Sequence, residues 1–262
     1  VGQVRAGAAS GHPGEAERVT GRKEAEVRDG AEPMAKNRPS TIVWAMGQTQ
    51  HTNGNAIVRA SCIVQLALGN IGVPGGGANI FRGHDNVQGA TDIGLDVVTL
   101  PFYYGLAEGA WKHWARVWEV DYDWIKAQYA SQAMMEKPGM TVSRWIDGVL
   151  EKNELIDQES NLRACVYWGH APNSQTRGMD MKKAMEKLDL LVVIDPYPSA
   201  TAAMHDRQDG VYLLPAATQF ETVGSVTASN RSVQWREKVI EPLWESKPDH
   251  TIMYLFAKKF GF

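Results

Sequence analysis

The stretch Arg163-Ala-Cys-Val-Tyr-Trp-Gly-His-Ala-Pro-Asn-Ser-Gln-Thr-Arg177, with Leu190-Leu-Val-Val-Ile-Asp195 some dozen residues on, decides the fold. Ala164–Tyr167 reads as a strand, Gly169–Arg177 as a polar loop and Met179–Leu188 as a helix. Leu190–Ile194 is short, wholly apolar and rich in β-branched residues, as a strand covered on both faces should be. Roughly thirty residues is the size of a right-handed βαβ crossover. Parallel sheets bind ligands outside the carboxyl ends of their strands. Gly169, His170 and Asn173 follow the first strand, while Asp195 and then Ser199 follow the second. A carboxylate at the position of Asp195 can accept from a ribose hydroxyl or from guanine N1 and N2; equally, it can cap the turn Pro196–Ser199. The loop is not GxGxxG, and no Walker lysine motif occurs, so neither a standard NAD site nor a P-loop is supported.

Upstream, Thr41–Met46 predicts another buried strand, ending at Gly47-Gln48. If it shares a sheet with the other two strands, Gly47 and Gln48 face the same crevice as Asp195. Ile57, Ala60, Val64, Ala67 and Leu68 recur at helical spacing, with Gly69-Asn70 as the stop. That helix delivers the chain to Pro74–Gly89, which holds five glycines, Arg82, Gly83 and Gln88. Glycine suits backbone that approaches another group closely, and a guanidinium between glycines can face a carboxylate or phosphate through two bonds. A pair of solvated turns with a surface arginine is the competing reading. Trp111, Trp114 and Trp118 share one helical face and read as core or interface. A further helix is expected from Thr141 or Val142 to Lys152.

Downstream, Val211–Leu214 predicts a strand ended by Pro215. Glu221–Arg231, which contains Asn230, is small and polar, and either approaches a ligand or forms an ordinary loop before the alternating Val233 and Trp235. Asp249 is expected to cap a last helix, with Ile252, Leu255, Phe256 and Phe260 buried and Gly261 as the stop.

The chain has 262 residues, 44% of them hydrophobic, and a formal charge of −3. That suffices for one large or two ordinary domains, and gives no basic field for nucleic acid or anionic lipid. With no apolar run of 18 residues and no signal-peptide pattern, a soluble cytoplasmic protein without membrane contact is expected. Cys62 and Cys165 lie in apolar segments and read as core residues, not as a disulfide or metal framework. Residues 1–34 carry little hydrophobic periodicity, so a disordered or non-native tail is expected there, with a helical turn near Met34–Asn37.

Several of these stretches together carry a resemblance. Trp44-Ala-Met-Gly-Gln-Thr-Gln-His51, Gly69-Asn-Ile-Gly-Val-Pro-Gly-Gly76, Asn79-Ile-Phe-Arg-Gly-His-Asp-Asn-Val-Gln-Gly89 and Gly169-His-Ala-Pro-Asn-Ser-Gln-Thr176 occur in this order. They are similar to the catalytic α subunit of molybdenum- or tungsten-dependent formate dehydrogenases, most closely the NAD-linked cytoplasmic type, over about residues 35–262. The resemblance implies an α/β molybdopterin oxidoreductase fold with mainly parallel, Rossmann-like sheets flanked by helices. Residues 35–90 would end one α/β domain, and 91–262 would form a second that binds a guanine dinucleotide. It implies two molybdopterin guanine dinucleotides holding molybdenum or tungsten, with formate as substrate and iron–sulfur and flavin subunits as partners on the way to NAD. Arg82 corresponds to the formate-binding arginine. Gly47, Gln48, Gly83, Gln88, Gly169, His170, Asn173, Asp195, Ser199 and Asn230 fall in segments that embrace the cofactors, with Asp195 as the guanine partner.

The chain also departs from the family. The metal-ligating cysteine or selenocysteine followed by histidine does not occur upstream of Thr41, and neither Cys62 nor Cys165 sits in that motif. No iron–sulfur cysteine spacing is found, the C-terminal barrel-like domain does not follow, the Met204–Gly210 loop is short, and residues 1–33 match nothing in the family. The expectation is a central fragment with no metal ligand of its own. The alternatives are another molybdopterin oxidoreductase, such as a nitrate reductase, and a non-catalytic nucleotide-binding or assembly module.

Overall fold

The computed structural model describes residues 11–95, 98–129, 132–137, 139–141, 143–156, 158, 160–172 and 175–261. It divides into two compact units. One takes the chain up to Gln88 together with Ser229–Arg231; the other takes Gly89–Ala228 and the chain from Ser232.

The first unit opens with helices α1 (Pro13–Thr20) and α2 (Glu24–Lys36). The sequence predicts no regular structure over most of this stretch, and the described part is helical instead. No residue of either helix is buried, so no apolar stripe announces them. The legible signals were a proline in the first turn of α1, Gly21 closing it in the left-handed region, and charges one turn apart. Glu24 pairs with Arg28 at 2.7 Å, and Glu32 with Lys36 at 2.6 Å.

Strand β1 (Thr41–Trp44) is followed by the single turn α3 (Met46–Thr49), helix α4 (Gly54–Ala67) and strand β2 (Gly77–Ile80). β1 and β2 run parallel, from Thr41 opposite Gly77 to Trp44 opposite Ile80. The condition under which Gly47 and Gln48 would share a crevice with Asp195 is not met: the Thr41 strand is not in the sheet of the Ala164 and Leu190 strands, and its partner lies inside the glycine-rich stretch. The apolar side of α4 behaves unexpectedly too. Val64 stays 43% exposed, whereas Gln65 is fully buried. The Gln65 amide donates to the carbonyls of Ser40, at 2.9 Å, and Gly77. Asn70 Nδ2 donates to Gln65 Oε1 at 2.8 Å and to Ser40 Oγ at 2.9 Å. These amides tie together the amino ends of both strands. A Cβ on Gly76 would lie 2.1 Å from the Asn70 carbonyl oxygen, so only glycine fits that turn.

Next come α5 (Val87–Ile93), α6 (Glu108–Val117), α7 (Tyr122–Ala127), α8 (Trp145–Leu150) and α9 (Asn153–Ile156). Val142, one of the two starts expected for the helix realised as α8, lies outside the described residues. Trp111 and Trp114 pack with Leu100, Ile125 and Met135, as a core stripe should; Trp118 remains 44% exposed.

Strand β3 (Ala164–Trp168), helix α10 (Gly178–Lys187) and strand β4 (Leu190–Asp195) realise the predicted βαβ unit. The short α11 (Ala200–Ala203) leads to β5 (Val211–Pro215), and the three strands form a parallel sheet in the order β3-β4-β5. β4 is apolar from Leu190 to Ile194 because both its faces are covered there. Leu191 and Val193 meet Ile146, Met181 and Met185 of α8 and α10, while Val192 and Ile194 meet Ala216 and Ile252.

Strands β6 (Gly224–Thr227) and β7 (Val233–Arg236) form an antiparallel hairpin, and α12 (Asp249–Phe260) closes the chain. Pro248, not Asp249, holds the cap position of α12. The Asp249 carboxylate instead accepts the Trp168 indole N–H at 2.5 Å. Ile252 is buried, but Leu255 and Phe260 are exposed, so the expected buried face is narrower than predicted. Gly261 stops the helix in the left-handed region, as expected. In the Met204–Gly210 loop, Arg207 donates to the carbonyls of Met185 (2.9 Å), Glu186 (3.3 Å), Leu188 and Asp189 (3.2 Å), closing the carboxyl end of α10.

Candidate functional site

In each unit some of the sequence-predicted site residues follow the carboxyl ends of parallel strands. In the first, α3 follows β1 directly and carries Gly47 and Gln48, while Arg82 and Gly83 follow β2. A Cβ at Gly83 would stand 3.9 Å from the Met46 side chain, so the two strand ends are adjacent. Gln48 is half-buried and its amide donates to Ser61 Oγ. Arg82 is half-buried as well. Its Nη1 reaches Gln88 Oε1 at 3.3 Å, and Gln88 is buried. A guanidinium held this way is an anchored cationic fork, suited to an anion with two oxygens.

In the second unit the ends of β3 and β4 are laced together. Gly169, with φ of 57°, donates its N–H to the Ile194 carbonyl at 2.8 Å. The fully buried Thr201 donates its hydroxyl to the His170 carbonyl, joining the start of α11 to the loop after β3. The His170 ring stacks on Tyr167 with centroids 6.0 Å apart, and its Nε2 lies 2.8 Å from Gln175 Nε2. Asn173 lies outside the described residues. Asp195 is half-buried, and its side chain receives a single long contact, 3.4 Å from the Tyr197 N–H. Its carboxyl oxygens therefore keep most of their acceptor capacity. The buried Ser199 hydroxyl makes no hydrogen bond. A buried hydroxyl without a partner and a barely used carboxyl group, both just past β4, fit a ligand that brings N–H donors to this edge.

Asp195 and Tyr197 line a small pocket of about 120 Å³. Tyr197 also borders a cleft of about 640 Å³ walled by Phe220, Leu243 and Trp244. One side of that cleft is fixed by Glu221, which accepts from the Thr218 N–H and hydroxyl and from the Leu243 N–H; these donors hold its carboxyl group below the ordinary carboxylate range. Asn230 is exposed on the turn between β6 and β7.

Sequence reasoning named Glu221 only as the start of a polar stretch, and it missed Thr201 and the pairing of Asp147 with Arg177. None belongs to a short motif; each acts through a partner distant in the chain, apart from the local Thr218 contacts of Glu221. Cys62 and Cys165 are free, and burial pushes the Cys165 thiol up to about 11, which keeps it unreactive at neutral pH. Among the described residues, no three His, Cys, Asp or Glu side chains come together in a way that could hold a metal ion. No helix among them is long and apolar enough to cross a membrane.

Parallel strands whose carboxyl ends carry glycine-rich turns and acceptor side chains define an α/β module of the kind that binds ligands at its strand ends. The family description "Molybdopterin oxidoreductase" matches residues 27–259, and the chain belongs to that family. It is 32% identical over 85% of its length to "Formate dehydrogenase subunit alpha" of Megalodesulfovibrio gigas, covering 25% of that protein. It is 29% identical over 95% of its length to "Formate dehydrogenase H" of Escherichia coli, covering 32% of it. Against the "F420-dependent formate dehydrogenase subunit alpha" of Methanocaldococcus jannaschii it is again 29% identical, over 95% of the chain and 33% of the relative. The chain thus spans a quarter to a third of the length of these curated relatives. A 95% share has to include residues before 35, so the likeness begins earlier than the sequence motifs indicated.

Proposed function

We propose that this chain is the central part of a formate dehydrogenase catalytic subunit. In this reading formate is oxidised to carbon dioxide, releasing a proton and two electrons, at molybdenum or tungsten held by two molybdopterin guanine dinucleotides. When bound, the metal–pterin group supplies the two-electron acceptor for that oxidation. Residues 35–90 end one α/β domain and present Arg82, whose guanidinium orients formate through both oxygens. Residues 91–262 form the dinucleotide-binding domain, in which Asp195 accepts from guanine N1 and N2 and Ser199 contributes its hydroxyl. Gly47, Gln48, Gly83, Gln88, Gly169, His170, Asn173 and Asn230 approach the cofactors. Electrons leave through iron–sulfur and flavin subunits towards NAD, in the cytoplasm.

The observation that carries this reading is Arg82: a half-buried cation beside a parallel strand end, in a chain whose relatives bear the name formate dehydrogenase. The test is formate oxidation by the enzyme that contains this chain, with Arg82→Lys and Arg82→Ala. Lysine keeps the charge and loses the fork. Alanine loses both, at a cost of about 2 to 4 kcal/mol of transition-state stabilisation, or roughly a thirtyfold to thousandfold drop. Pterin and metal content should hold. Near wild-type turnover in Arg82→Ala sinks the assignment, and joint loss of metal and pterin moves Arg82 to the cofactor. Nitrate reduction without formate oxidation would favour the nitrate reductase alternative.

A further inference from the structure

The loop Gly169–Arg177 ends in an unusual joint. Arg177 sits at φ 65° and ψ 36°, immediately before α10. The left-handed region suits glycine or asparagine, and a long side chain there is uncommon. The arginine is nonetheless committed through all three nitrogens of its guanidinium. Nη2 lies 2.8 Å from Asp147 Oδ1, Nη1 donates to the Ser143 carbonyl at 3.1 Å, and Nε lies 3.5 Å from Asp180 Oδ2. Asp147 is 9% exposed, and the Arg177 guanidinium is the main reason its carboxyl group is held below the usual range. Arg144 adds a second cation at 3.2 Å from Asp147 Oδ2.

Asp147 cannot wander. Its neighbours in α8, Ile146 and Val149, pack in the core with Met181, Ala184 and Met185 of α10. The guanidinium therefore anchors the far end of the loop to the hydrophobic core, just as Gly169 and Thr201 anchor the near end to β4 and α11. Glycine would relieve the backbone at position 177, and arginine there makes sense for what its side chain holds.

We propose that Arg177 and Asp147 form a clamp that holds Gln175 beside His170, where their Nε2 atoms lie 2.8 Å apart, and so positions His170 for the guanine dinucleotide, making Arg177 a positioning residue. The inference rests on the reading of Gly169 and His170 as cofactor contacts. Without the clamp, Gly169 keeps its bond to β4 but Gln175 and Arg177 lose their hold, so the cofactor meets a His170 ring whose neighbour must first be ordered.

The test uses the enzyme that contains this chain, with Arg177→Gly, Arg177→Lys and Asp147→Asn. Glycine preserves the backbone turn and removes the guanidinium, whereas asparagine at 147 leaves residue 177 untouched. Two quantities are read: amide hydrogen exchange at Gln175, whose N–H donates to the Pro172 carbonyl at 3.0 Å next to the clamped end, and pterin bound per chain after dialysis. Arg177→Gly and Asp147→Asn should both speed exchange about tenfold or more and lower retained pterin several-fold, with little change in far-ultraviolet circular dichroism. Arg177→Lys should recover part of both, since an ammonium reaches Asp147 but not the Ser143 carbonyl at the same time. Exchange as slow as wild type in Arg177→Gly and Asp147→Asn overturns the clamp. Faster exchange with full pterin retention in the clamp variants and in Asp195→Ala alike overturns both the clamp and the reading of this edge as the cofactor site. Retained pterin that falls in Asp195→Ala while remaining normal in both clamp variants overturns the clamp alone.

Discussion

The pair β1–β2 is locked by amides at its amino ends, whereas β3, β4 and β5 are held between apolar layers. In the first, Gln65 and Asn70 bridge Ser40 and Gly77. In the second, alternate residues of β4 enter clusters on opposite faces. Apolar burial is non-directional and gives the larger share of stability. An amide with several acceptors gives less, but it fixes where two strand ends stand relative to each other, because each unmade bond strands a buried group. One unit is thus specified chiefly by hydrogen-bond geometry and the other chiefly by packing.

Leu191→Ala puts the packing side under the greatest strain. The side chain has no accessible surface, and truncation should cost about 2 to 5 kcal/mol, read from urea denaturation. A loss under about 1 kcal/mol would mean that β4 does not organise its unit.

Gln65→Met addresses the amide side. It keeps the volume and removes the donors from the Ser40 and Gly77 carbonyls, which should cost about 1 to 3 kcal/mol and speed amide exchange along β1. Wild-type stability in this variant would erase the contrast between the two units.

Acid gives the smallest effect and separates the chemistries. Asp147 and Glu221 have their folded values depressed by their donors, so their contribution is complete above the ordinary carboxylate values of 3.8 and 4.5 and is lost as pH falls through the folded values. The Gln65 network contains no titratable group. Stability of the second unit should therefore hold from neutral pH down to about pH 5 and decline below it, with the decline reduced in Asp147→Asn. Amides of β1 losing protection in parallel with those of β4 would count against the distinction.

The sequence made the packed unit legible and the amide-locked one much less so. Leu190–Ile194 could only be a strand covered on both faces, and the βαβ unit followed from it. β2 was hidden because Gly75, Gly76 and Gly77 read as turn, although the strand begins at Gly77. Gln65 was invisible because periodicity counts apolar residues, and here the buried position on α4 is polar. Among site residues, those next to strand ends could be placed by rule. Thr201 and the Asp147–Arg177 pair could not, since the Thr201–His170 and Asp147–Arg177 contacts span 31 and 30 residues and no spacing rule reaches that far.

Arg207 has a consequence for proteolysis. Trypsin-like proteases draw an arginine side chain into a deep pocket that ends in a carboxylate. Arg207 lies in an irregular loop, the usual place for a nick, yet its guanidinium is spent on four carbonyls around the end of α10. Cleavage after it requires the helix end to open first, so the loop is shielded by the same side chain that would make it a target.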